Sequence, residues 1–245
     1  MSSHAADPGL STPAVLRDRG REVTRLEAFV DAAFAFAVTL LVISIDAIPD
    51  SAERLFDAIK GVPAFAASFC IIALFWSGHA RWSRRYGLDD GPTTRLSLLL
   101  VFLVLVYVYP LRMMFGAFFA WISGGWLPAG FPIDDWGDLK LMFTLYAIAW
   151  STLGLVIVAL YQHAWHLRDA LGLSRDERIE LLTARAAWML VPAVGVLSLL
   201  VTQFLRPRSD LAVGLPGVCY GLMWFSDTVA RHARARAIAR LDAAP

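Results

Sequence analysis

Oxygen-bearing side chains interrupt the apolar segment 28–48 at a helical spacing. When residues are placed about 100° apart around a helix axis, one narrow stripe contains Phe36, Thr39, Ile43, Asp46 and Asp50. The stripe is an apolar surface that is interrupted by a hydroxyl and ends in carboxylates. Such oxygens can bind cations or pair with neighbouring helices, and a lone Thr39 can instead bond to its own helix backbone.

A further carboxylate, Asp31, lies in the same segment but well off this stripe, so we expect it to face a different neighbour. A charge within a membrane span costs about 3 kcal/mol or more and therefore faces protein or water. The available partners are Arg25 and, at the end of the next apolar segment, His79 and Arg81. An Asp31–His79 contact could be a clamp between packed helices or a proton-sensitive latch, because histidine titrates near neutral pH.

Six long apolar segments must position these groups. A helix needs roughly 20 apolar residues to cross a bilayer, and six such segments predict an all-α membrane protein rather than a barrel. Ser174 and Glu177 have the spacing of a capping box, which predicts that the fifth helix begins before its apolar part. The predicted spans are 28–48, 61–82, 95–121, 140–164, 185–205 and 210–230.

The distribution of charge orients these spans. With six spans both termini lie on one side, and the segments on that side contain 16 of the 22 Lys and Arg residues. The positive-inside rule therefore places both termini in the cytoplasm. We divide the chain into a cytoplasmic arm (1–24), a transmembrane domain (25–230) and a basic cytoplasmic tail (231–245) that fits lipid headgroups rather than nucleic acid.

Other chemistries have weaker support in the sequence. Cys70 and Cys219 fall inside predicted spans and lack the spacing of a disulfide framework or a metal site. His163 and His166 are three residues apart and could ligate a metal, but no carboxylate or cysteine accompanies them within their segment. We therefore predict no metal, no cofactor and no enzymatic activity. A transporter is a rival interpretation, although the chain has no clear internal repeat.

Two motifs are shared with a known family. Arg25, Phe29, Asp31 and Ala35 fit the pattern R-x-x-x-F-S-D-x-x-x-A, with Val30 in place of its serine, and "FWSGHARW" in the second span fits W-x-x-H. The chain thereby resembles the transmembrane protein 175 family, potassium-permeable channels of bacterial membranes and animal endolysosomes. The specific resemblance covers the first two spans. A chain of this length with six spans is similar to the bacterial members, which have one six-helix repeat and assemble as tetramers.

The resemblance implies passive potassium flux across a bacterial plasma membrane, through a homotetramer whose pore is lined by the first helix of each subunit. Its implied partners are further copies of itself, membrane lipid, and potassium and other monovalent cations. Alternatives are a proton-conducting channel, a secondary transporter and a non-conducting membrane protein of the same fold. The implied sites are a pore constriction and selectivity site at Phe36, Thr39 and Ile43, an outer-mouth acidic ring at Asp46 and Asp50, and an inter-helix polar network of Arg25, Asp31, Trp76 and His79.

Overall fold

Helices make up most of the part of the chain that the structure, a computed structural model, describes: residues 18–20, 22–43, 50–133, 135–204 and 210–242. Short connections join several of the long helices, so that these consecutive helices pack as neighbours. The helices are α1 (Arg25–Ile43), α2 (Ala52–Lys60), α3 (Val62–Tyr86), α4 (Gly91–Ile122), α5 (Trp136–His166), α6 (Arg175–Phe204), α7 (Asp210–Val213), α8 (Leu215–Val218), a 3-10 helix (Cys219–Phe225) and α9 (Ser226–Asp242).

Side-chain caps set the starts of several helices. Ser51, Asp90 and Asp135 accept hydrogen bonds from backbone N–H groups in the first turns of α2, α4 and α5. The predicted capping box is present before α6, where the Ser174 N–H donates to Glu177 Oε2 over 2.9 Å and the Glu177 N–H donates to Ser174 Oγ over 3.3 Å. The fifth predicted span therefore begins as a helix ten residues before its expected membrane entry, at Arg175.

Four of the described helices are long and apolar enough to cross a membrane, by length and composition. They are α3, α4, α5 and α6, which correspond to the second to fifth predicted spans, and no span extends more than one residue beyond its helix. The first predicted span corresponds to α1, which ends at Ile43 among the described residues, while its last part, 44–48, lies outside them.

The sixth predicted span, 210–230, is not one uniform α-helix. It is divided among α7, α8, the 3-10 helix and the beginning of α9. The residues at the joints, Gly214, Cys219 and Ser226, all have right-handed helical backbone angles, so the segment still follows a helical path. Glycine disfavours a regular α-helix and Pro216 supplies no backbone N–H, which accounts for the interruptions.

The core is centred on α5, whose described residues are buried on most sides by α3, α4 and α6. Its contact with α6 is close because Gly195 leaves no space for a side chain: a Cβ atom there would lie 2.2 Å from Ser151 Oγ and 3.1 Å from the Ala147 carbonyl oxygen. Small residues allow membrane helices to approach in this way. An aromatic cluster fills the adjacent space, formed by Phe75, Tyr146, Trp150, Trp188 and Tyr220.

Candidate functional site

Helix α1 has two faces with different surroundings. Val30, Phe34, Ala37 and Leu41 are buried at spacings of three and four, and they hold α1 against α3 and α4. On the opposite face Phe36 is 55% exposed and Thr39 is exposed. The stripe found in the sequence thus begins on the surface of the chain, facing away from the core.

Thr39 bonds to its own helix: its Oγ1–H donates to the Ala35 carbonyl over 3.1 Å. This is the ordinary arrangement for a helical threonine, and it leaves the lone pairs of the hydroxyl oxygen directed outward as acceptors. Ile43 ends α1, but its side chain lies outside the described residues. Of the three residues of the predicted constriction, the structure therefore describes two side chains: an exposed apolar residue, Phe36, and an exposed hydroxyl, Thr39.

The predicted acidic ring is described at one of its two positions. Asp46 lies outside the described residues. Asp50 is exposed and accepts a hydrogen bond from Arg54 Nη1 over 3.1 Å, at the start of α2. Because exposed ion pairs are weak, this contact neutralises Asp50 only in part.

The motif residues of the first two spans meet in one hydrogen bond. The Trp76 indole N–H donates to Asp31 Oδ1 over 2.8 Å and joins α3 to α1. A hydrogen bond to a carboxylate is stronger than one between neutral groups, so it offsets part of the cost of placing Asp31 on an apolar helix. Arg25 is exposed at the start of α1, and its side chain has no hydrogen bond or ion pair with the described residues.

His79 bonds to Ser97 and not to Asp31, the partner that the sequence analysis considered. Its Nε2 hydrogen-bonds to Ser97 Oγ over 2.9 Å, with both side chains buried, and joins α3 to α4. The structure pairs Asp31 with Trp76 and His79 with Ser97 of α4, and the described residues show no direct hydrogen bond between Asp31 and His79. The two motif residues of α3 thus bind two different helices.

Sequence reasoning missed Ser97, although the sequence contains a signal for it. His79 lies seven residues before the end of α3, and Ser97 lies six residues after the start of α4. In antiparallel neighbours joined by a short loop, such residues have the same depth. Matching polar residues by depth across the loop would have paired them.

Sequence reasoning also missed two further polar contacts, at the starts of α4 and α6. His163 Nε2 lies 2.7 Å from Asp90 Oδ2 and joins α5 to the start of α4. Burial by itself would raise the pKa of Asp90, but hydrogen bonds from Thr93 and from His163 outweigh it and hold this pKa below its usual value. The second contact, between Arg19 and Glu177, ties residues of the arm to α6.

The histidine pair of α5 does not converge on one point. His163 faces Asp90, whereas His166 Nε2 lies 2.9 Å from the Gln162 side-chain nitrogen. Among the described residues no three His, Cys, Asp or Glu side chains are grouped so that they could hold a metal ion.

Known proteins are similar to this chain both in sequence and in fold. Residues 25–110 match the family described as "Endosomal/lysosomal potassium channel TMEM175". The chain is 34% identical over 190 residues to a protein named "Potassium channel" from Marivirga tractuosa, which covers 75% of this chain and 76% of that protein. It also matches the crystal structure of the potassium channel MtTMEM175, a threonine-to-alanine variant in complex with a nanobody–MBP fusion protein. That match has a TM-score of 0.77 and 29% identity, over 93% of this chain and 100% of the other.

The match to the family includes all of α1 and α3 and thus the motif residues that meet at Asp31 and Trp76. The similarity to the curated relative extends well beyond these two helices. The chain belongs to the TMEM175 family.

Proposed function

We propose that this chain is a passive, potassium-permeable cation channel and not an enzyme, and that α1 lines its pore. The observation that carries the proposal is the exposed Phe36–Thr39 face of α1, opposite its buried face, in a chain of a potassium-channel family. Relatives in sequence and in structure are named potassium channels.

We assign six membrane spans, in a homotetramer of a bacterial plasma membrane. α1 is the first span, α3 to α6 are the next four, and the helical path from Asp210 into α9 is the sixth. The surplus of Lys and Arg on one side supports cytoplasmic termini. A fourfold arrangement would turn the exposed face of α1 into rings of identical side chains around an axis.

Such rings account for conduction and for modest selectivity. Phe36 and Ile43 would form an apolar neck, which gates by excluding water. Thr39 would present four acceptor oxygens between these layers, where a cation has lost part of its hydration shell. Potassium gives up its shell more easily than sodium, so potassium is preferred. Asp46 and Asp50 would raise the local concentration of cations at the outer mouth.

The test is ion flux from liposomes that contain the purified protein. Wild-type protein should pass potassium faster than sodium, and Thr39→Ala should reduce this preference at least threefold because the neck loses its acceptors. Thr152→Ala is the matched control, since Thr152 also donates to its own helix, at the Ile148 carbonyl over 2.8 Å, but lies on α5. An unchanged ion preference in Thr39→Ala would refute this selectivity site.

The same preparation separates the alternatives. Proton flux without potassium flux would indicate a proton channel, flux that requires a counter-transported solute would indicate a transporter, and a folded oligomer without flux would indicate a non-conducting relative. A proton route through Asp31 and His79 draws no support from direct contact, because these side chains bond to Trp76 and Ser97.

A further inference from the structure

The segment that precedes α1 is docked on the cytoplasmic ends of two other helices. The Gly20 N–H donates to the Arg84 carbonyl of α3 over 2.9 Å. Gly87, which ends α3 with φ of +58°, allows the close approach: a Cβ atom there would lie 2.9 Å from both the Arg19 carbonyl carbon and the Gly20 nitrogen. A Cβ atom on Gly20 would in turn lie 2.9 Å from the Ser83 carbonyl oxygen. The backbone of the arm therefore sits in a notch that fits it closely.

An ion pair fixes the same segment to α6. Arg19 donates to both carboxylate oxygens of Glu177, over 2.8 and 3.2 Å, which is the strong two-point geometry of this pair. Glu177 is only 5% exposed and also belongs to the capping box of α6. The hydrogen bond from Arg19 lowers the pKa of Glu177 to about 2, and the same bond raises the pKa of Arg19, so both partners are charged at physiological pH.

A second arginine, Arg85, forms ion pairs next to this contact. Arg85 of α3 hydrogen-bonds to Glu180 of α6 and lies 3.7 Å from Asp18 of the arm. The arm, α3 and α6 are thus joined by one group of charges and by the backbone of Gly20. We name this set of residues the cytoplasmic anchor: Asp18, Arg19, Gly20, Arg85, Glu177 and Glu180.

The cytoplasmic anchor lies a short distance along the chain from α1. Thr24 caps this helix by accepting from the Glu27 N–H over 3.1 Å. Gly20 and Arg25 are five positions apart in the sequence, so an extended chain between them reaches at most roughly 17 Å. The start of α1 is therefore tethered to α6, a helix outside the α3 and α4 surface on which its buried face packs.

We propose that Arg19 and Glu177 are positioning residues for conduction: they hold the cytoplasmic end of α1 so that its exposed face keeps the neck narrow. This inference rests on the proposed channel function. Neither residue touches the permeant ion, and both act through the placement of α1. Release of the anchor lets α1 tilt, which widens the neck at Phe36 and admits water.

Glu177→Gln is the sharpest variant, because glutamine can keep the capping box but loses the ion pair with Arg19. It should raise potassium flux at least threefold and lower the preference for potassium over sodium. Asp176→Asn is the matched control, with the same change of charge on the neighbouring exposed residue of the same helix turn. Potassium flux of Glu177→Gln that equals that of Asp176→Asn, or that falls below the wild-type value in a folded oligomer, would overturn the positioning role.

Gly20→Ala tests the anchor without a change of charge. It should reproduce the rise in flux because the added methyl group displaces the arm from its notch, whereas Gly91→Ala, at a site with no neighbouring atom within 4 Å, should not. Limited trypsin digestion gives an independent measurement: cleavage after Arg19 should be faster in Glu177→Gln than in wild type or Asp176→Asn. Equal cleavage rates would show that the ion pair does not hold the arm.

The wild-type flux in the same experiment keeps the two proposals apart. Wild-type liposomes that pass no potassium would refute the channel function and the positioning role with it. Wild-type flux together with unaltered flux in both Glu177→Gln and Gly20→Ala would refute the positioning role alone.

Discussion

Helices α1 and α5 contain the same local hydrogen bond in opposite surroundings. Thr39 of α1 and Ser151 of α5 each donate to the carbonyl four residues earlier, over 3.1 and 2.7 Å. The Ser151 hydroxyl is buried against Gly195, whereas the Thr39 hydroxyl is exposed on the surface of the chain. The difference shows that the hydrogen bond to its own helix does not determine which partners a helical hydroxyl can contact. The surface that it faces decides this.

The two helices are also held in place by different forces. α5 is surrounded by close steric contacts with α4 and α6, while α1 is packed on one face and is bonded to α3 through Asp31 and Trp76. Steric fit does not depend on charge, but it tolerates little change in volume. Polar bonds on an exposed helix leave more freedom of movement, which would suit the pore-lining role that we propose for α1.

The largest expected effect concerns the steric side of this comparison. Gly195→Ala should destabilise the protein by about 1–3 kcal/mol, because the new methyl group overlaps Ser151 Oγ and approaches the backbone of α5. Gly221→Ala, in the 3-10 helix with open space around it, should change stability by no more than about 1 kcal/mol. Thermal unfolding of the two purified variants measures both effects. Equal midpoints would show that α5 and α6 are not as closely fitted as described.

An intermediate effect is expected on the polar side. Trp76→Phe removes the N–H that binds Asp31 and keeps an aromatic ring, so the yield of folded oligomer should fall at least twofold. Trp121→Phe, at an exposed position near the end of α4, is the control and should assemble normally. Size-exclusion chromatography after matched expression distinguishes the two. Normal assembly of Trp76→Phe would mean that the buried face of α1 is sufficient to hold it.

The smallest effect concerns Asp90, where α4 and α5 meet. Its pKa is lower in the folded protein than in the unfolded chain, so the stability that it contributes is complete above the unfolded pKa of about 4 and is lost as the pH falls through the folded value. Asp90→Asn should therefore lower the unfolding midpoint by a few degrees at pH 7, and the difference from wild type should shrink below pH 4. Asp135→Asn, at the equivalent cap of α5, tests whether the effect requires His163. A difference that persists at low pH would contradict the role of the Asp90 charge.

The sequence predicts the elements of this fold better than the contacts between them. Apolar length located the four spans α3 to α6, and helical periodicity separated the exposed stripe of α1 from its buried face. The sixth span was predicted as a helix from its apolar length, and the structure divides it among several helical segments because glycine and Pro216 weaken its regularity. Apolar length and helical periodicity are local properties, so they can be read from the sequence.

The partners of polar residues depend on which helices are neighbours, and periodicity does not give this information. Depth alone offered His79 and Arg81 as possible partners of Asp31, whereas the structure bonds Asp31 to Trp76, one turn before His79. Glu177 was recognised as a cap, but its pairing with Arg19 spans 158 residues of chain and follows only from the way α6 returns beside the arm. Predictions about Phe36, Thr39, Ile43, Asp46 and Asp50 as parts of a pore stay predictions until flux is measured.

The bond between Thr39 and its own helix has a consequence for the sign of the permeant charge. Its hydroxyl hydrogen is directed to the Ala35 carbonyl, so the group can accept a hydrogen bond or contact a cation but has no hydrogen left to offer an anion. In the proposed tetramer the neck would have a negative electrostatic potential without any formal charge. Discrimination between cations and anions at that level would therefore be insensitive to pH, because it depends on a fixed orientation of uncharged dipoles rather than on a titrating group.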